Sequence, residues 1–223
     1  GLGSFAYGCG YVSYYNPYYV YDPGTTTIVY NYAQPIPVAY NSETLIDDPN
    51  LGASADQVLN SAIAAFKDNN YDDALRIVDG GVSKFPNDAV LHEFRALVLF
   101  ARGDYQQAAA TIHSVLAIGP GWDWTTLSGF YPDTNIYTMQ LRALEAALKN
   151  QPDNGAMRFL LGYHYMSDGY PDAAARQFER VVALVPNDQV AANLLKMTST
   201  GQSDPNANQD GQGAGQGNQP VNL

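Results

Sequence analysis

The sequence predicts an all-α fold, a stack of antiparallel helix pairs between two flanks without helical character. Three observations predict it. Tyr71-Asp72-Asp73-Ala74 returns as Tyr105-Gln106-Gln107-Ala108 at an interval of 34 residues. Pro86 is answered by Pro120, and Pro152 by Pro186, at the same interval. All eleven Lys and Arg residues lie between Lys67 and Lys196, which marks the middle of the 223-residue chain as its globular part. Self-similarity at such a period signals a repeat architecture, in which each unit buries its apolar face only against its neighbours.

Taken in order, residues 1–41 are rich in Tyr, Pro and Gly, with Tyr14, Tyr15, Tyr18, Tyr19 and Tyr21 crowded around Pro17. Apolar residues at helical spacing are missing there, and 25–32 is a β-prone run between Pro23-Gly24 and Pro35. Extended backbone is expected, with at most one hairpin strand. Residues 42–54 are polar and contain Asp47-Asp48-Pro49-Asn50, which reads as a linker. The helical domain is expected over 55–198. Its last helix, from Gln189 to Met197, carries Val190 and Leu194 on one side and Asn193 and Lys196 on the other, as a solvating cap does. Residues 199–223 are a Gly, Gln and Asn mixture with almost nothing apolar to bury, so disorder is expected. Because the sequence begins with Gly1, a processed or truncated product with its targeting signal removed is also expected.

The markers between the flanks resemble the tetratricopeptide repeat pattern of Trp, Leu-Gly, Tyr, Ala, Phe and Pro. The fullest copy is Leu161-Gly162, Tyr165, Ala174, Phe178 and Pro186. An earlier copy holds Ala62, Ala74, Val78 and Pro86, and a second holds Ala96, Leu99, Ala108, Ile112 and Pro120. A third starts at Trp124, Leu127 and Tyr131 but departs where Ser128 replaces Gly and Pro132-Asp133-Thr134-Asn135 interrupts its first helix. The resemblance implies a right-handed superhelix of about four repeats, the third degenerate, plus a capping helix. Physically, small residues such as Ala74, Ala108, Ala174 and Gly162 let paired helices approach, while Leu127, Ile112 and Phe178 fill the space between pairs. Pro86, Pro152 and Pro186 end helices, and Asp88, Asp153 and Asp188 are placed to cap the next.

Composition weighs against several functions. A net charge of −11 opposes nucleic acid and anionic lipid, whose binding depends on Lys and Arg displacing counterions. No apolar run reaches the roughly 20 residues that a membrane-spanning helix needs. Cys9 is alone, so neither an internal disulfide nor a cysteine zinc site is expected, and no basic neighbour activates it as a nucleophile. His92, His113 and His164 belong to separate helices of a stack and read as structural rather than metal-binding. Asp47-Asp48 and Asp72-Asp73 have no apolar frame to raise a catalytic pKa. The glycine-rich run over 211–217 lacks the flanking strand and helix of a phosphate loop. No catalytic residue, metal or cofactor is therefore expected, and the chain reads as a non-enzymatic adaptor or assembly scaffold.

The resemblance implies that the first helix of each pair lines a concave peptide-binding groove. Projection onto that face gives Leu59, Ile63, Phe66, Glu93, Leu97, Phe100, Trp122, Phe159, Tyr163 and Met166. This surface is apolar and aromatic, and it lacks the Lys, Arg and Asn clamp that suits acidic C-termini. An apolar or aromatic peptide is the expected partner, held by side-chain anchors in pockets. Two sources are expected: another protein, or the chain's own segment 28–40, tethered nearby and packed in or beside the groove of Phe66, Phe100 and Trp122. The alternative is a small apolar ligand in a pocket of Phe100, Trp122, Phe159 and Tyr163. Gln34-Pro35-Ile36, the helix from Leu91 to Leu97 and Gly121-Trp122-Asp123-Trp124 are also similar to bacterial members of this family. That similarity implies an exported or envelope-associated bacterial setting.

Overall fold

The computed structural model describes residues 14–21, 29–36 and 49–200. The expectations for Cys9, the acidic pair at 47–48, the glycine-rich run and the tail beyond 200 lie outside these residues, as do Ile28 and 37–40. Among the described residues the architecture is all-α, as expected, with no strand. In chain order the helices are α1 (Pro49–Lys67), α2 (Tyr71–Lys84), α3 (Ala89–Arg102), α4 (Tyr105–Leu116), α5 (Trp124–Gly129), α6 (Thr134–Asn150), α7 (Gly155–Ser167), α8 (Pro171–Leu184) and α9 (Gln189–Thr200).

Helix α1 starts at Pro49, six residues before the expected domain start. Proline is tolerated in the first turn, where its missing N–H would have had no intrahelical partner. The weak helix formers Asn50 and Gly52 made this stretch resemble a linker. The turns within the helix pairs share one conformation. Asn69, Gly103 and Gly169 have φ of 59°, 85° and 79°, left-handed values that end a helix and admit the next. Asn70, Asp88 and Asn154 then accept hydrogen bonds from the first amides of α2, α3 and α7. Asp153 does not cap as expected; it pairs with Arg180 at 2.6 Å, and Asn154 takes the capping place.

The small residues of the motif are where helices close on each other. Ala62, Ala74, Ala96, Ala108 and Ala174 are all buried. At Gly162 an added Cβ would lie 2.7 Å from the Phe178 ring, so only hydrogen fits. Phe178 is itself fully buried, and removing such a side chain from water contributes about 3 kcal/mol.

The pairs α1–α2, α3–α4 and α7–α8 stack in sequence, and α9 closes the series against α8. Helix α4 packs on α7 as α2 packs on α3, so α5 and α6 do not take the third place in the stack. They form an insert laid across the first helices, with α6 on α7 and α3 and Tyr131 against Phe66 of α1. The motif spacing agrees. Ala62 to Ala96 and Ala74 to Ala108 are 34 residues, whereas Ala96 to Gly162 and Ala108 to Ala174 are 66, a surplus of 32. Local chemistry prevents a full first helix here. Pro120 and left-handed Gly121 turn the chain off the stack, and Gly129 and Pro132 limit α5 to six residues.

Candidate protein-interaction site

The insert lies on the face that the first helices present. Helix α6 is amphipathic: Asp133 caps it, and Tyr137, Leu141, Leu144 and Leu148 are buried along one side. Ahead of it, Phe130 packs on Trp122 at 4.7 Å and on Phe94 at 5.3 Å between ring centroids. Tyr131 meets Phe66 at 5.1 Å and Tyr137 at 5.5 Å. Tyr137 also reaches Phe100 at 6.1 Å and Trp124 at 5.1 Å. Polar ties are few: Gln140 bridges Tyr131 and Tyr71, and Tyr165 donates to Glu145 at 2.8 Å.

Glu93 of α3 sits where the insert leaves the stack. It is buried, and its Oε1 accepts from the Trp122 amide at 2.6 Å and from the Tyr163 hydroxyl at 2.9 Å. Burial pushes this carboxyl up to about 7, against the opposing effect of both hydrogen bonds. Close by, His164 of α7 stacks on Phe100 at 3.9 Å. Its Nδ1 has a long contact of 3.4 Å to the Tyr137 hydroxyl, and its Nε2 is buried without a partner. Burial lowers this imidazole to about 3.

The ten groove residues read from the sequence divide accordingly. Phe66, Phe100 and Trp122 meet aromatic rings of the insert, and Glu93 and Tyr163 form the junction beneath it. Leu97 is buried in the core, while Leu59, Ile63 and Met166 are half-buried. Phe159 belongs elsewhere, packed with Tyr18, His113 and Phe178.

That second region is the seat of the N-terminal segment. The ring contacts of Phe66, Phe100 and Trp122 lie within the helical domain and its insert, and none is with Tyr30 or Tyr32. Instead, Tyr30 and Tyr32 pack on His92 of α3, and Tyr32 lies under Arg95 at 5.5 Å. The His92 Nε2–H faces the Pro86 carbonyl at 2.9 Å, which leaves Nδ1 to accept from the Tyr32 hydroxyl at 2.8 Å. Burial lowers His92 to about 4 and raises Tyr32 to about 12. Arg95 is held by Asp79 at 2.7 Å and Thr111 at 3.0 Å.

Asn16 donates to the Tyr32 and Ala110 carbonyls at 2.9 and 2.8 Å, stitching the two described pieces of the segment to α4. Tyr18 donates to Asp188 at 2.6 Å, and His113 Nε2 lies 3.1 Å from the other carboxylate oxygen. A carboxylate only accepts, so Nε2 carries the proton and Nδ1 accepts from Tyr14 at 2.9 Å. Burial works to raise Asp188, but the bonds from His113, the Ala191 amide and Tyr18 hold it below its ordinary value. Asn16, Arg95, Ser114 and Asp188 were not among the sequence-derived site residues. No local signal joins partners 94 to 170 positions apart.

Among the described residues, no three His, Cys, Asp or Glu side chains gather into a metal-binding cluster, and no helix is long and apolar enough to cross a membrane. A profile of the tetratricopeptide repeat family matches residues 59–121 and 141–189, together half of the chain. The match stops at the start of the insert and resumes within α6. No curated protein matches this sequence. Among solved structures, "MamA 41-end from Desulfovibrio magneticus RS-1" is 19% identical over 69% of this chain and 99% of that one, with a TM-score of 0.31. "MamA RS-1 ArsTM double mutant" is 21% identical over 69% and 88%, also at 0.31. The family match coincides with the stacked pairs and their buried small residues, and on that ground the chain belongs to the tetratricopeptide repeat family.

Proposed function

We propose that this protein is a non-enzymatic adaptor or assembly scaffold whose first-helix groove takes an apolar, aromatic segment of a partner protein. Tetratricopeptide repeats are protein–protein interaction modules, and the finer reading concerns what this groove prefers. The observation that carries it is the seam at Phe66, Phe100 and Trp122. These side chains face Tyr131, Tyr137 and Phe130 of the chain's own insert, so the surface suits aromatic anchors rather than charges. The pocket alternative has less to support it, because Phe100 stacks on His164 while Phe159 packs with Tyr18 and Phe178.

Leu59, Ile63 and Met166 are half-buried groove positions and tolerate substitution better than the buried rings. Ile63→Asp and Met166→Asp should weaken binding of aromatic peptides from an array by about tenfold, or 1.4 kcal/mol, with helical content unchanged by circular dichroism. Equal binding of acidic and aromatic peptides, or indifference to both substitutions, would overturn the reading.

A further inference from the structure

We propose that the α5–α6 insert is a displaceable cover of the repeat groove, and that the partner it yields to is an amphipathic helix with an aromatic and leucine stripe like that of α6. The proposal rests on the functional reading above and adds the shape of the ligand and the control of access.

Three observations carry it. First, the element seated on the first-helix face is itself a helix, and its buried positions Tyr137, Leu141, Leu144 and Leu148 follow the spacing of helix-in-groove recognition. Second, the insert is attached at two hinges: left-handed Gly121 on one side, and the short turn between α6 and the Asn154 cap of α7 on the other. Third, the seam is imperfect where it closes. Glu93 is buried without a cation, and His164 Nε2 is buried without an acceptor. Opening the cover would let water satisfy both groups, so closure over them is opposed by their desolvation.

Glu93 also gives the cover a pH dependence. The groups facing it are the Tyr163 hydroxyl from α7 and the Trp122 amide from the turn that precedes the insert. On its own helix, His92 is turned to Tyr32 and Pro86, and Arg95 to Asp79 and Thr111. Beyond Tyr163 lie His164, kept neutral by burial, and Tyr137. On α4, His113 is engaged with Tyr14 and Asp188. Among the described residues, no cation stands against the carboxylate. The closed form therefore binds the Glu93 proton more tightly than an open form in which the carboxyl meets water. Raising the pH between 4.5 and about 7 shifts the balance toward opening, by at most about tenfold per unit for one proton.

The test uses the full chain, whose only tryptophans, Trp122 and Trp124, both report on the insert. The probe is a fluorescein-labelled peptide of residues 131–151, which contains no tryptophan. Saturable anisotropy with a parallel red shift of tryptophan emission, tighter at pH 8 than at pH 5, supports the proposal. Glu93→Gln should flatten that pH dependence. Leu141→Ala loosens the seat of α6 without altering the groove and should tighten peptide binding by about tenfold; a merely structural role for α6 predicts no gain. Binding with unchanged tryptophan emission overturns the cover while leaving the groove reading intact. A pH-driven emission shift with no peptide binding, even for Leu141→Ala, overturns the helical partner and the groove reading with it.

Discussion

Two seams join non-repeat chain to this stack, and they are built differently. Under the N-terminal segment, His113 has a partner on each nitrogen, Asp188 accepts from three donors, and Asn16 binds two carbonyls. Under the insert, His164 has one long contact and one unpartnered nitrogen, and Glu93 is a buried acid held by neutral donors. A polar network that is fully satisfied fixes one arrangement, and one that is partly satisfied leaves an alternative within reach. Residues 14–21 and 29–36 are thus integral to the domain, whereas the insert is seated mainly by aromatic and leucine packing.

The contrast is broken most directly at Asp188. Asp188→Ala removes the cap of α9 and strands His113 Nε2 and the Tyr18 hydroxyl. A loss of about 3–7 kcal/mol is expected, from a cap of about 1 and two orphaned donors of about 1–3 each. Urea denaturation measures it, and a loss below about 1 kcal/mol would mean that the network is ornamental.

The pH dependence of stability sharpens the comparison. Glu93 is raised from 4.5 to about 7, so the folded chain binds its proton more tightly than the unfolded chain, and stability is lost as pH rises through that window. His92 and His164 are lowered from 6.5 to about 4 and about 3, so the unfolded chain binds protons that the folded chain does not, and stability rises with pH up to 6.5. These slopes oppose each other between pH 4.5 and 6.5. Glu93→Gln should unmask the histidine slope, adding up to about 1.4 kcal/mol per pH unit there. Urea midpoints from pH 4 to 8 would show it, and superimposable curves for variant and parent would contradict it.

The smallest effect is expected at the imperfect seam itself. His164→Phe combined with Tyr137→Phe replaces both members of a poor polar pair by apolar groups of similar shape. Stability should then change by less than about 0.5 kcal/mol or increase. A clear loss in the melting temperature would show that the 3.4 Å contact matters more than its length implies.

The stack was legible in the sequence because each of its requirements is local. Ala74, Ala108 and Ala174 mark close helix contacts, Pro86 and Pro186 mark helix ends, and each recurs in phase. The first-helix face was legible as apolar for the same reason. What covers it was not. Trp124, Leu127 and Tyr131 imitate the start of a repeat, and the 32-residue surplus in the spacing of the alanines was absorbed into a degenerate third copy. Phe159 was placed in the groove because period alone does not say which neighbour a buried ring meets. The pairings of Tyr14, Tyr18 and Tyr32 with His113, Asp188 and His92 have no period at all.

The Tyr18–Asp188 bond spans 170 residues and has a temporal consequence. Repeat arrays fold through short-range contacts, one unit against the next, and such contacts form early and fast. Tyr18 leaves the ribosome 170 residues ahead of its partner, which emerges only after the last helix pair. Until then the tyrosine-rich segment has no Asp188 to bind, and its docking must close one of the longest loops in the chain. Folding of the array should therefore close with a distinct, slower step in which residues made before the repeats are secured by a residue made after them. A nascent chain halted before α9 would hold the repeats assembled with that step still pending.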